Sequence, residues 1–164
     1  MDINEAYLRL VCSGKADELE ELLSSAHHPG IPGPTLNVNF VSRSDGSNAL
    51  IVCAQCCGGD QHQPGDYEKC LKILLKRGIK LNAQDWHGRT ALHWAVKNGL
   101  GFIVTELLRV GADIRIEDKN GRTPIQYGVN SSNLDIIRLL FEDDERKKVI
   151  PMNTILAESD FNPV

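Results

Sequence analysis

The fold is decided by two matching stretches, Asp85-Trp86-His87-Gly88-Arg89-Thr90-Ala91-Leu92-His93-Trp94-Ala95 and Asp118-Lys119-Asn120-Gly121-Arg122-Thr123-Pro124-Ile125-Gln126-Tyr127-Gly128. Their glycines, Gly88 and Gly121, lie 33 residues apart. Apolar pairs further along recur at the same interval, with Ile103-Val104 and Leu107-Leu108 returning as Ile136-Ile137 and Leu140-Phe141. A fixed period of this length indicates a repeat protein, in which each period is one small unit that stacks on its neighbours.

This repeat resembles the ankyrin repeat, whose signature combines a 33-residue period with a Thr-Pro-Leu-His-x-Ala run. Here the run begins at Thr90 and again at Thr123. The resemblance implies an all-α solenoid of four helix-turn-helix units with short β-turn tips. It also implies that His93 hydrogen-bonds neighbouring turns. The apolar stripe of each second helix needs a stacked neighbour, because a single unit cannot bury it.

Units three and four are regular, whereas units one and two are stretched. Gly46 precedes Gly88 by 42 residues, and we assign the surplus of nine to an insertion at about 57–66, which is rich in Gly, Gln and Pro. Unit one matches by register only, and a second insertion at about 27–36 follows it, with three prolines. The four units are therefore placed at about 3–36, 45–78, 87–113 and 120–145.

Together the units form one predicted domain over residues 1–148. Residues 149–164 follow it and contain no fifth repeat. Two interpretations of this tail stay open: a short helix that caps unit four, or a disordered end.

The start of each first helix has a recognisable pattern. Thr90 and Thr123 stand where a threonine hydroxyl caps free backbone N–H groups. Pro124 follows at the first helical position, where its missing N–H has no cost.

Composition narrows the function classes. Hydrophobic residues make up 41% and charged residues 24%, which is typical of a globular domain. The sequence has no apolar run of about 18 residues that would span a membrane. The net charge of −4 gives no general attraction to nucleic acid. The five cysteines are odd in number and no secretory signal precedes them, so we expect reduced thiols and a cytoplasmic or nuclear location.

The resemblance also implies a binding site, at the turn tips and on the concave face of the first helices. Carried over position by position, the candidate partner-binding residues are Arg43, Ser44, Asp45, Ser47, Gln55, Trp86, His87, Arg89, Lys97, Asn98, Lys119, Asn120, Arg122, Asn130 and Ser131.

Trp86 is the leading candidate among them, because tryptophan is enriched among binding hot spots. The alternative is that Trp86 only packs on a neighbouring tip or loop. Five basic residues of this face outnumber Asp45, Asp85 and Asp118, which leaves a balance of +2 and favours a partner with an acidic or polar strip. A solvated face with no charge preference is the competing interpretation. The two insertions are either further binding loops or tolerated surface loops.

No chemistry is assigned to the cysteines. Cys53, Cys56, Cys57, His62 and Cys70 are zinc-ligand types, but their spacing fits no familiar zinc motif, and Cys53 and Cys70 fall on core positions of the repeat. Catalytic motifs are also absent from the sequence. We therefore expect neither a metal, nor a cofactor, nor an enzyme.

Three functions remain open. The first is a protein–protein interaction module, an adaptor or scaffold that binds a partner protein or peptide. The second is a direct inhibitor or regulator that occludes an enzyme or transcription factor. The third and weakest is RNA binding on the concave face, since no dense basic stripe or aromatic platform is visible.

Overall fold

The computed structural model describes residues 2–25, 36–57, 64–131 and 133–157. In these residues it contains eight helices: α1 (Ile3–Cys12), α2 (Ala16–Ser25), α3 (Ala49–Cys56), α4 (Pro64–Lys76), α5 (Ala91–Lys97), α6 (Gly101–Arg109), α7 (Pro124–Asn130) and α8 (Leu134–Ala157). Consecutive helices pair into four units. The first helices α1, α3, α5 and α7 contact one another in chain order, and so do the second helices α2, α4, α6 and α8. The predicted all-α solenoid of four helix-turn-helix units is confirmed.

Most of the two predicted insertions, 27–36 and 57–66, lies outside the described residues, which omit 26–35 and 58–63. The second helix of unit two, α4, begins at Pro64, within the range assigned to its insertion. The last helix, α8, continues to Ala157 and so passes the predicted domain boundary at residue 148. Residues 158–164, the end of the predicted tail, lie outside the described residues.

The apolar stripes of the second helices form the core between units. In α6, the side chains of Val104 and Leu107 are fully buried, and Leu108 is 8% exposed. The equivalent of Leu108 in unit four is Phe141, which is 54% exposed. Among the described residues, Phe141 lies on the last helix of the stack and is covered by no further unit.

Thr90 and Thr123 are the N-cap residues of α5 and α7, as predicted, and the third residue of each helix bonds back to its cap. The N–H of Thr123 donates to Oε1 of Gln126 at 2.8 Å, and Pro124 occupies the first helical turn. The N–H of Thr90 donates to Nδ1 of His93 at 3.1 Å. Each side chain thereby satisfies a backbone donor that the helix itself leaves unpaired.

His93 also ties unit three to unit four. Its Nε2 lies 3.0 Å from the carbonyl oxygen of Arg122. A carbonyl only accepts hydrogen bonds, so Nε2 carries the proton and Nδ1 is left to accept from Thr90. The ring is fully buried, and this burial lowers the pKa of His93 below 6.5, although the Arg122 carbonyl opposes the shift. His93 is thus a neutral link between neighbouring turns, as the resemblance implies.

We expect His93→Gln to flatten the pH dependence of stability, because Gln126 shows that an amide fills the same role in unit four. In the wild type, the imidazole of His93 takes up a proton near pH 6.5 when the chain is unfolded, but only at lower pH when it is folded. The free energy of unfolding should therefore fall as the pH drops below about 6.5, by at most about 1.4 kcal/mol per pH unit. Urea denaturation of both proteins between about pH 8 and about pH 5 measures the difference. Parallel pH profiles would contradict this assignment.

Gly88 lies where the turn of unit three closely approaches the backbone of the turn of unit four. Its φ is 79°, in the left-handed region. A β-carbon at this position would lie 2.9 Å from the backbone nitrogen of Lys119. Only glycine satisfies both the dihedral angle and the contact, so this position fixes how unit four approaches unit three.

Three alanine substitutions separate these two effects. Gly101→Ala should leave stability unchanged or slightly raised, because Gly101 is helical and a β-carbon there meets nothing within 4 Å. Gly78→Ala should cost about 1–2 kcal/mol for its left-handed backbone alone, since its φ is 70° and its surroundings are open. Gly88→Ala should cost more than Gly78→Ala. Urea denaturation gives the three free energies, and equal costs at Gly78 and Gly88 would show that the close contact relaxes.

Candidate functional site

The turns at 42–47, 85–90 and 118–123, here called the tip row, are joined by backbone hydrogen bonds. The N–H of Trp86 donates to the carbonyl of Asp45 at 2.8 Å, and the N–H of Lys119 donates to the carbonyl of His87 at 2.9 Å. Each tip is thereby held at a fixed spacing from the preceding one. The tip row is therefore a preorganised surface rather than three independent loops.

A buried aspartate shapes each of the last two tips. Oδ1 of Asp85 accepts from the N–H groups of His87 and Arg89 at 2.8 and 2.9 Å. Oδ1 of Asp118 accepts from the corresponding groups of unit four at 2.8 and 2.9 Å. Both aspartates are buried, which means that their charges hold the turns and do not face a partner.

An aromatic side chain donates to the other oxygen of each aspartate. Nε1 of Trp94 lies 3.1 Å from Oδ2 of Asp85, and the hydroxyl of Tyr127 lies 2.7 Å from Oδ2 of Asp118. Neither aromatic residue is among the site residues predicted from the sequence. The signal that would have found them is the same nine-residue spacing from Asp85 to Trp94 and from Asp118 to Tyr127.

The two arginines of the motif complete this arrangement. Nε of Arg89 lies 3.0 Å from Oδ2 of Asp85, and its guanidinium stacks 4.2 Å from the centre of the Trp94 ring. Nε of Arg122 lies 3.4 Å from Asp118. The side chain of Arg89 is 18% exposed and that of Arg122 is 45% exposed. Arg89 is mainly a brace inside its tip, whereas Arg122 keeps much of its surface for a partner.

The environment of Asp118 strongly favours its charged form. Burial by itself raises the pKa of this carboxyl, but the hydrogen bonds from Tyr127 and from the backbone of Arg122 and Asn120, together with the Arg122 charge, lower it to about 2. The same pairing raises the pKa of Tyr127, after the larger effect of its own burial. At neutral pH the carboxyl of Asp118 is therefore ionised and paired within its own tip.

The predicted site residues divide by exposure. Ten are exposed, four are partly buried and one is buried. The exposed residues are Arg43, Ser44, Trp86, His87, Lys97, Lys119, Asn120, Arg122, Asn130 and Ser131; the partly buried ones are Asp45, Gln55, Arg89 and Asn98; the buried one is Ser47.

Ser47 requires a correction, because its side chain is fully buried and has no surface for a partner. Its hydroxyl donates to Oδ2 of Asp45 at 2.7 Å and accepts from Nε2 of Gln55 at 3.2 Å. The amide of Asn98 also has an internal contact, to the carbonyl of Ala54 at 3.0 Å. Position in the repeat placed these side chains at the site, but internal hydrogen bonds occupy them.

Trp86 combines the two interpretations that the sequence left open. Its indole covers the preceding tip so closely that a β-carbon on Gly46 would lie 2.4 Å from Cδ1. The residue is nevertheless 56% exposed. Packing on Gly46 fixes the ring in place while leaving a large apolar surface open.

The structure shows which side chains carry the charge balance of the predicted site. Asp85 and Asp118 are buried, whereas Arg43, Lys97 and Lys119 are exposed. Nζ of Lys97 lies 4.6 Å from the centre of the Trp94 ring, which directs this cation along the same face. Asp85 and Asp118 pair with Arg89 and Arg122, so the balance of +2 rests on Arg43, Lys97 and Lys119 against Asp45.

An open cleft adjoins the first tip. It has a volume of ≈ 290 Å³ and lies between α1 and the unit-two turn, lined by Glu5, Leu8, Arg9, Phe40 and residues 42–44. In the part of the chain that the structure describes, no group of three or more His, Cys, Asp or Glu side chains is placed to hold a metal ion. None of the described helices has the length and apolar character needed to cross a membrane.

Comparison with known proteins agrees with this repeat geometry. The family model described as ankyrin repeats, in three copies, matches residues 63–150, more than half of the chain. Unit one and most of unit two lie before the matched range, although the structure shows a helix pair in each of them.

Several relatives are similar to this chain over part of their length. A putative ankyrin repeat protein of Acanthamoeba polyphaga mimivirus is 28% identical over 120 residues, which are 73% of this chain and 16% of that protein. One from fowlpox virus is 36% identical over 114 residues, 70% of this chain and 16% of that protein. One from Rickettsia bellii is 42% identical over 72 residues, 43% of this chain and 40% of that protein. The chain thus spans less than half the length of each of these relatives.

We expect Tyr127→Phe to raise the pKa of Asp118 and to destabilise the fold by about 1.5–3 kcal/mol, the usual range for a hydrogen bond to a charged group. Because the folded pKa of Asp118 lies below 3.8, its stabilisation is present above that pH and is lost as the pH falls toward about 2. The variant should lose less stability over this acid range. Carboxyl NMR titration and urea denaturation measure the two effects.

Tyr7→Phe is the matched control. It removes a buried hydroxyl that contacts the carbonyl of Val38 at 3.3 Å, in unit one. The pKa of Asp118 should stay unchanged in this variant. An unchanged pKa of Asp118 in Tyr127→Phe would mean that the backbone donors and Arg122 suffice to hold the carboxylate.

Proposed function

This chain belongs to the ankyrin-repeat family, and on that basis we propose that it is an adaptor or scaffold module that binds a partner protein or peptide through its tip row. Ankyrin repeats are generally protein–protein interaction modules, and domains built from them are typically non-catalytic. The partner contacts the tips together with the adjoining exposed positions of the first helices.

The observation that carries this proposal is the exposed indole of Trp86. A ring that is 56% exposed and fixed against Gly46 has little side-chain freedom left to lose on binding. Its backbone is also held by the hydrogen bond to Asp45. Large aromatic side chains in such a position are typical binding hot spots.

The charges of the tip row support a partner with an acidic or polar strip. Lys119 and Arg122 lie on the tip that follows Trp86, and Arg43 lies on the tip that precedes it. Asp118 is buried and pairs with Arg122, which stays 45% exposed, whereas Lys119 and Arg43 are exposed. Acidic side chains of a partner would then flank the apolar contact made by the indole.

A cytoplasmic or nuclear location belongs to the same proposal. All five cysteines are free thiols, which suits a reducing compartment. Cys53 and Cys70 are fully buried in the core, where they pack as small apolar side chains.

A displayed peptide library tests the proposal, with one half biased toward Asp and Glu and the other toward Lys and Arg. We expect the wild-type protein to enrich peptides from the acidic half. The double variant Trp86→Ala, Lys119→Ala should bind them at least about tenfold more weakly, as loss of a hot spot does. Affinities are measured by calorimetry on the enriched peptides.

A matched control is available on α8, where Phe141 is 54% exposed and the Arg138 side chain is 81% exposed. The double variant Phe141→Ala, Arg138→Ala removes an equally exposed ring and one cation from outside the tip row, and should keep the wild-type affinity. Equal losses in both variants, enrichment of basic peptides, or no enrichment would contradict the proposal. Salt-sensitive binding to a single-stranded RNA in place of peptides would support the nucleic-acid alternative.

A further inference from the structure

Two thiols from different units meet at the ends of α1 and α3. Sγ of Cys12 lies 2.7 Å from Sγ of Cys56, across 44 residues of sequence. Cys12 is exposed and Cys56 is partly buried. A disulfide bond is ~2.05 Å long, so only a small shift of the side chains separates this contact from a covalent bond.

We propose that Cys12 and Cys56 form a reversible oxidation site, at which a low-molecular-weight disulfide such as glutathione disulfide converts the two thiols into a bond between units one and two. This site is separate from the tip row and does not depend on the proposed binding function.

The other cysteines lack the geometry for this reaction. Cys53 and Cys70 are fully buried, and Sγ of Cys53 contacts the carbonyl of Tyr67 at 3.8 Å. Cys57 follows Cys56 directly, but among the described residues no sulfur lies within hydrogen-bonding distance of its own. The pairing of Cys12 with Cys56 is therefore selective even though five thiols are present.

The position of Cys12 is fixed from a second direction. The hydroxyl of Tyr67, on α4, donates to the backbone carbonyl of Cys12 at 2.7 Å. This bond holds the end of α1 against unit two, while α1 and α3 pack along their length. Approach of the two sulfurs therefore follows from contacts that are independent of the thiols themselves.

The exposed thiol reacts first, because glutathione disulfide must reach its sulfur. The Cys12 thiolate attacks one sulfur of glutathione disulfide, and glutathione thiolate leaves and takes up a proton. The Cys56 thiolate then attacks the Cys12 sulfur and releases a second glutathione. In total, the two protein thiols lose two electrons and two protons, and one glutathione disulfide becomes two molecules of reduced glutathione.

The first step also prepares the second. The pKa of Cys56 is raised to about 12. Burial is the largest cause, followed by the hydrogen bond with Cys12 and the charge of its thiolate form. Once the Cys12 sulfur is bonded to glutathione it can no longer ionise or share a proton with Cys56, and the part of this shift that comes from Cys12 is removed. Cys56 then forms its reactive thiolate more readily.

The test equilibrates the full chain in glutathione buffers of increasing oxidised fraction. Intact-mass spectrometry should show that the protein has lost the mass of two hydrogens and carries no glutathione adduct. Peptide mapping should find Cys12 joined to Cys56. Hydrogen exchange should slow at least about tenfold in α1, because the bond limits opening of unit one.

Three single variants identify the thiols. Cys12→Ser and Cys56→Ser should each abolish the internal disulfide, and Cys56→Ser should retain glutathione on Cys12. Cys57→Ser is the matched control and should form the disulfide as the wild type does. Circular dichroism checks that each variant is folded.

Other products would overturn the proposal: stable glutathione on Cys12 in the wild type, a bond that involves Cys57, or a disulfide between two chains. Because peptide binding is measured separately and with reduced protein, these results leave the proposed function untouched. Conversely, a tip row that binds no peptide leaves the oxidation site untouched.

Discussion

The structure depends on stacking between neighbouring units, since the apolar stripe of each second helix cannot be buried inside its own unit. Val104 and Leu107 of α6 are fully covered only because α4 and α8 lie on either side. Phe141, on the last helix of the described stack, has no such cover there and is exposed. Every contact that positions the tips, including the link from His93 to Arg122, requires this stacking to bring adjacent turns together.

Stacking alone would leave the tips free to move, and polar groups remove that freedom. The buried carboxylates of Asp85 and Asp118 each collect two backbone N–H groups, an aromatic donor and an arginine. Because the anions are used internally, cations such as Lys119 remain at the surface. The hydrogen bonds and ion pairs that stabilise each turn thus also decide which charged side chains face the solvent.

Units one and two contribute different structural features from units three and four. In the tip of unit two, hydrogen bonds among Asp45, Ser47 and Gln55 take the place of the aspartate–arginine pair. Among the described residues, no aromatic side chain donates to Asp45. Unit one has no tip of its own in the described residues, and its first helix contributes instead a cleft beside the next tip and the thiol of Cys12. Units three and four thus provide two of the three tips, while units one and two provide the first tip, the cleft and the two neighbouring thiols.

The sequence by itself determined the period, the four helix pairs, the N-cap positions of Thr90 and Thr123 and the place of Trp86 at a turn tip, because these depend on residues close together in the chain or on a pattern that repeats. Only the tertiary structure decided that Ser47 is buried, that Arg89 braces its own tip, and that Trp94 and Tyr127 donate to the turn aspartates. It alone brought Cys12 to Cys56. These outcomes depend on side-chain direction and on contacts between units, and a repeat register specifies which position a residue occupies but not which neighbour its side chain meets.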